Sequence, residues 1–204
     1  MAPGSAINDV LDHPVVQVAD EDAVAFAGWA GKDLASEAEW EHAAGGGLDG
    51  TNFMWGTETE AAGGKRANYW HGQFPWCAEP GCGATMPVAF FAANGYGLFD
   101  MAGNVWEWTD DWYAMGQAQP EIACCAPSDP RGAEEDASFD PAQLRFRIPC
   151  RVVKGASFLC ADTYCLRYRP AARRPQPIDT GMSHIGFRCV RRPEACALTA
   201  LTIK

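Results

Sequence analysis

The pattern of polar and apolar positions in this 204-residue chain signals a helix in two places, both within the first quarter, with an apolar stripe in the second. After an irregular opening dozen, His13-Pro-Val-Val-Gln-Val18 reads as a strand. Asp20 is then a candidate helix cap, with acids in the first turn and Gly31 near the end. The second helix is better marked. Ser36 and Glu39 have capping-box spacing, Trp40, Ala43 and Ala44 supply an apolar stripe, and Gly45-Gly-Gly47 stops it. From there to about residue 150, Gly, Pro and Asn punctuate short aromatic segments, a pattern of loops and short strands pinned by Trp and Tyr. Within residues 116–150, the acidic stretch from Pro127 to Pro141 reads as a long surface loop. Val152 and Val153, followed by Phe158-Leu159, predict a buried strand leading to Cys160, and Ile185-Gly-Phe-Arg-Cys-Val190 predicts another.

Composition narrows the class. With 21 Gly, 14 Pro and eight Trp, the chain is loop-rich and anchored by aromatics, not a helical bundle. Its length suits one domain, residues 1–204, with a genuine core. No apolar run approaches the roughly 18 residues needed to span a bilayer, and no charged-then-apolar leader follows Met1. A soluble, cytoplasmic protein with no membrane partner is the expectation. The net charge of −10 is unevenly spread: eleven of the sixteen basic residues fall between Arg145 and Arg192, and 23 of the 26 acids precede Arg145. The two portions are expected to pack together and neutralise one another. No nucleic-acid motif accompanies the arginines, so no nucleic-acid partner is expected.

Nine cysteines is an odd number, which excludes a fully paired intramolecular framework and favours thiol or metal chemistry. The window from Cys160 to Cys165 concentrates that chemistry. It sets two thiols close together, beside Ser157, Tyr164 and the arginines Arg167, Arg169 and Arg173. Arginine and serine donors stabilise thiolates, and a soft thiolate pair selects a soft ion such as Cu(I). A simple disulfide is the competing reading of the same spacing. Asp100-Met-Ala-Gly-Asn-Val-Trp-Glu107 has carboxylates at both ends of a Gly-containing turn, a donor set suited to a hard cation such as Ca2+. His184 stands alone among four scattered histidines and reads as a hydrogen-bonding residue.

Several segments, in order, resemble the formylglycine-generating enzyme family, also called sulfatase-modifying factors. They are His13-Pro-Val-Val, Trp29-Ala-Gly-Lys32, Glu37-Ala-Glu-Trp-Glu41, Asn94-Gly-Tyr-Gly-Leu-Phe99, Gly103-Asn-Val-Trp-Glu-Trp-Thr109, Arg151-Val-Val-Lys-Gly155, Cys165-Leu-Arg-Tyr-Arg169 and Gly186-Phe-Arg-Cys189. The Cys124-Cys125 pair and the Ser183-His-Ile-Gly-Phe-Arg-Cys189 ending are most similar to actinobacterial members. The resemblance implies an α+β, C-type-lectin-like fold, loop-rich with short strands and two short helices. It implies a copper-dependent, O2-using oxidase that converts the cysteine of an unfolded sulfatase peptide, Cys-x-Pro-x-Arg, to Cα-formylglycine.

By the same resemblance, Cys160 and Cys165 bind Cu(I), while Ser157, Tyr164 and Trp106 flank the reaction centre. Asp100, Gly103, Val105 and Glu107 hold a structural Ca2+. A second calcium site would begin at Asn68 and Tyr69, but the acidic segment that completes it is replaced by Ala78-Glu-Pro-Gly-Cys82. The family's opening strands have no counterpart here, so the domain reads as N-terminally shortened, and a monomer. The alternative is a non-catalytic lectin-like binding module or inactive homologue. An iron-dependent sulfoxide synthase needs a clustered histidine motif that His13, His42, His71 and His184 do not form.

Overall fold

The computed structural model describes residues 6–58, 64–115, 129–143, 145–162, 164–165 and 167–192. Two helices, α1 (Asp20–Trp29) and α2 (Glu37–Gly45), flank β1 (Asp33–Leu34). A small hairpin follows, β2 (Gly72–Gln73) and β3 (Cys77–Ala78), and then the long strand β4 (Trp106–Trp112). The rest is β5 (Cys150–Lys154), β6 (Arg174–Pro177), β7 (Ile185–Phe187) and β8 (Cys189–Val190). The principal sheet has the order β6-β5-β4-β7, with β7 parallel to β4 and the other pairs antiparallel. The mixed α+β, loop-rich architecture agrees with the sequence expectation.

The second helix forms as its sequence predicts. Ser36 Oγ accepts from Glu39 N at 3.2 Å, and Glu39 Oε2 accepts from Ser36 N at 2.8 Å, satisfying two orphan donors of the first turn. Gly46, at φ 58°, ends it in the left-handed conformation that glycine adopts without penalty. Trp40 and Ala44 are buried on the face that meets β4 and β5. Helix α1 differs in detail: Ala19 occupies the cap position and Asp22 Oδ2 accepts from its N–H at 2.9 Å, so Asp20 is the first helical residue.

Three strand expectations need correction. His13–Val18 is irregular, because Gln17 takes φ 64° and breaks the extended run. The segment nevertheless lies along the sheet, with Gln17 N donating to Met182 O at 3.0 Å. Ile185–Val190 is two strands: β7 pairs with β4, whereas β8 pairs with β1. Phe158 and Leu159 lie beyond the end of β5, in the turn that leads to Cys160. Strand β4, within the region read as loops and short strands, is the central element. Its first four residues are all buried, so the polar alternation that marks a half-buried strand is missing.

The core is built on indoles. Trp106 and Trp108 of β4 join Trp40, Phe53, Tyr168 and Ile185 as its large buried side chains. Lys154 is buried with them and is neutralised by Glu41 at 2.9 Å and Glu37 at 3.6 Å. Opposed charges from the acidic and basic portions therefore do meet inside the fold, as charge distribution suggests.

Glycine is required just ahead of β4. At Gly103, φ is 73° and a Cβ would stand 2.3 Å from the Asn68 carbonyl oxygen. Gly103→Ala should lower unfolding free energy by about 3 kcal/mol. Ser36→Ala, which removes one cap bond, should lower it by about 1 kcal/mol. Denaturant unfolding of both variants checks the ranking.

Candidate active site

A short loop carries the two thiols into one place. Beyond β5, Gly155 and Ala156 both take positive φ and turn the chain off the sheet. Ser157 O accepts from Cys160 N at 2.9 Å, and Cys160 O accepts from Trp70 N at 3.0 Å, pinning the first cysteine against a neighbouring segment. Ala161 O accepts from Cys165 N at 2.7 Å, closing a single turn that brings the second cysteine back over the first. Both cysteines are free thiols in this structure.

Their environments differ. Cys160 is buried, at 4% exposure, whereas Cys165 is half-buried. The thiol pair shares one proton. The Cys160 thiol donates to Cys165 and, against a smaller opposing effect of burial, the Cys165 thiol is brought down to about 6, with Arg167 assisting. Cys160 is pushed up correspondingly, by that same hydrogen bond and then by burial. One sulfur is therefore anionic near neutral pH and the other is its donor.

The pair opens onto a cleft of about 450 Å³ whose walls include Ser157, Trp106 and Tyr164. All five side chains assigned to the reaction centre by sequence thus converge on one cavity. Trp106 is 1% exposed and forms a wall from β4, while Ser157 Oγ accepts from Leu159 N at 3.3 Å. Tyr164 is 71% exposed and stacks on Phe74 at 5.2 Å, an aromatic shelf at the cleft edge.

Of the three candidate arginines, Arg167 alone lines the cleft. Arg173 instead bonds Glu37 at 2.8 Å and lies over Tyr113, while Arg169 lies over Phe53. The cleft also contains residues to which sequence reasoning gave no role: Phe74 from the β2–β3 hairpin, Asp140, and Arg174 of β6. No local spacing links them to the cysteines, and the sheet alone brings them near. His184 lines the cleft as well, its imidazole pushed down by burial and by Arg174. Two sulfurs on one wall, one readily ionised, form a donor set that fits a soft monovalent ion.

The Asp100–Glu107 turn is occupied by protein contacts. Glu107 accepts from Trp40 Nε1 at 2.7 Å and from Arg188 at 2.5 and 2.6 Å. Asp100 Oδ2 accepts from Ala89 N at 2.7 Å, and burial pushes its carboxyl up. A hard cation here would use Asp100 directly and share Glu107 with the Arg188 guanidinium. Asn68 and Tyr69, where a second calcium site would begin, make contacts within the fold. Asn68 O accepts from Asn104 N at 2.8 Å, its amide donates to Ala84 O at 2.9 Å, and Tyr69 stacks on Tyr168. Cys124 and Cys125 lie outside the described residues. Among the described residues, no helix is long and apolar enough to cross a membrane.

A curled sheet with two flanking helices and a two-thiol cleft defines a mixed α+β domain of recognisable type. The profile of the family described as "Sulfatase-modifying factor enzyme 1-like domain" matches residues 2–193, and the chain belongs to that family. It is 47% identical over 193 residues to the formylglycine-generating enzyme of Thermomonospora curvata, covering 94% of this chain and 59% of that protein. It is 48% identical over 193 residues to the formylglycine-generating enzyme of Mycobacterium tuberculosis, covering 93% and 60%. The chain thus spans about three fifths of the length of these curated relatives. Among solved structures, Treponema denticola variable protein 1 superposes with a TM-score of 0.65 at 26% identity, covering 94% of this chain and 74% of that one.

The thiol pair has a titration signature. Alkylation of Cys165 by a small electrophile, read by peptide mass, should rise with pH through about 6. Cys160→Ala, which removes the donor, should move that midpoint up towards the ordinary thiol range. The sign follows from a folded-state value below the unfolded one: ionisation of Cys165 stabilises the fold above the ordinary thiol range near 9, and this contribution is lost as pH falls through about 6.

Proposed function

We propose that this domain oxidises the cysteine of a Cys-x-Pro-x-Arg segment in an unfolded sulfatase peptide to Cα-formylglycine, using dioxygen and a cuprous ion. One observation carries the reading: Cys160 and Cys165 meet as free thiols in a cleft that also holds Ser157, Tyr164 and Trp106. The names of the two bacterial relatives support the reaction class.

Atom balance defines what the site must do. The thiol-bearing carbon becomes an aldehyde, its carbon–sulfur bond breaks, and hydrogen sulfide and water leave. One dioxygen is consumed in each turnover, together with two electrons and two protons from an external thiol reductant, which leaves as its disulfide. Copper, when bound, supplies the redox chemistry towards dioxygen and the affinity for a further sulfur ligand.

The chain's own residues do the remainder. Cys165, ionised near neutral pH, and Cys160 below it are the residues that would hold the ion. Ser157 keeps its hydroxyl proton free to donate to a polar group in the cleft, because its oxygen is the acceptor for Leu159 N. Trp106 excludes water from the buried side. The Tyr164–Phe74 shelf offers an apolar surface to an extended peptide at the cleft edge. His184 is pushed towards the neutral form by burial and Arg174, which makes it a weak base and leaves its ring one hydrogen-bond donor and one acceptor for groups in the cleft.

Cys160→Ser and Cys165→Ser should each abolish Cu(I) binding and aldehyde formation, read by titration with a chromogenic chelator and by peptide mass. Full peptide oxidation by the double variant would rule the reading out. Ser157→Ala should retain Cu(I) binding and lower turnover by roughly 10- to 100-fold.

We assign a structural calcium role to Asp100, Gly103, Val105 and Glu107, with Glu107 shared with Arg188. Calcium should raise the melting temperature of the chain, and Asp100→Asn should remove most of that increment. An unchanged melting temperature across millimolar calcium would end this assignment.

A further inference from the structure

A further thiol lies outside the cleft, and a turn fixes its position. In Glu79-Pro80-Gly81-Cys82, proline at the second place and glycine at the third are the residues of a type II turn. Gly81 takes the positive φ that such a turn demands, at 81°, and Cys82 N donates to Glu79 O at 2.9 Å. The turn is itself anchored. Glu79 N donates to His71 O at 2.9 Å, and a Cβ on Gly83 would stand 3.2 Å from the Trp70 ring. Its two ends present a carboxylate and a sulfur to one neighbour: Lys65 Nζ donates to Glu79 Oε2 at 3.0 Å and to Cys82 Sγ at 3.3 Å. Cys82 is a free, half-buried thiol, within reach of small solutes.

A cysteine sulfur in contact with a primary amine is a reactive pair as well as a hydrogen bond. We propose that Lys65 and Cys82 form a reversible sulfur–nitrogen cross-link when the chain meets a hydroperoxide, a site independent of the oxidase reading. In the first step the Cys82 thiolate attacks one peroxide oxygen, the O–O bond breaks, and a sulfenic acid and hydroxide form. Sulfur loses two electrons and the peroxide gains them. The hydroxide takes a proton from the Lys65 ammonium and leaves as water, so a neutral amine is generated beside the oxidised sulfur. In the second step that amine attacks the sulfur, the S–OH bond breaks, and the departing hydroxide removes an amine proton as a second water. Thiolate, ammonium and hydrogen peroxide thus become a sulfenamide and two waters. Contact at 3.3 Å puts the amine ahead of a second peroxide, whose attack would carry the sulfur irreversibly to sulfinic acid. Glu79 keeps the lysine over the turn. A thiol reductant reopens the link by attacking the sulfur, which releases the amine. The link would close a loop around the β2–β3 hairpin, which supplies Phe74 to the rim of the cleft.

The test needs neither copper nor peptide. The full chain is treated with a few equivalents of hydrogen peroxide, alkylated on its remaining thiols, proteolysed and read by tandem mass spectrometry. Wild type should give the Lys65 and Cys82 peptides joined with loss of two hydrogens, and dithiothreitol should separate them. Lys65→Arg keeps a cation beside the sulfur, but its guanidinium stays protonated and cannot attack. In that variant the link should vanish and Cys82 sulfinic acid should rise severalfold. A wild-type Cys82 that ends as sulfinic acid, or as a disulfide with Cys77, and never joined to Lys65 would overturn the inference. Equal sulfinic acid in wild type and Lys65→Arg would do the same.

Discussion

Much of the architecture hangs on the carboxylate of Glu107. It sits near the start of the central strand, 5% exposed, and accepts from Trp40 of α2 and from Arg188 between β7 and β8. Arg188 also donates to the carbonyls of Phe99 and Asp100, tying in the turn ahead of the strand. A buried carboxylate is tolerable only when both oxygens are satisfied, so the helix, the strand and the C-terminal segment must be in place together. Removing one partner would leave the others with unpaired buried groups.

That lock positions the chemistry indirectly. Strand β4 is held between β5 and β7, and the loop that leaves β5 has little freedom once Phe158 N bonds Asn104 O at 3.0 Å. The cysteine turn therefore starts from a fixed point. Its second anchor, from Trp70 to Cys160, comes from a segment ninety residues away. The reactive end of the cleft is thus built on rigid elements, while Tyr164 and Phe74 at its edge stay open to solvent or peptide.

Legibility followed the range of the interaction. The capping box of α2 and its glycine stop could be read because every partner lies within a few residues. The Cys160–Cys165 pair was legible for the same reason, since the Ala161 turn that unites it is local. The strand character of Trp106–Trp112 was less legible, because burial on both faces erases alternation. The strand expected at His13–Val18 failed on one left-handed residue, Gln17. Glu107 shows the hardest case: as a residue type it fits a calcium turn, and nothing nearby in the chain announces that Arg188 will meet it.

Sequence by itself determined the two helices, the thiol pair and the family resemblance, since each depends on short spacing or on residue identity. Tertiary structure decided which arginine faces the sulfurs, that Asp140 and Arg174 join them, and that Glu107 is already engaged. Those outcomes depend on sheet order and on which buried charges find partners across the fold. Contacts of that kind carry no signature in local spacing, because the energy that selects them appears only when distant segments are desolvated together.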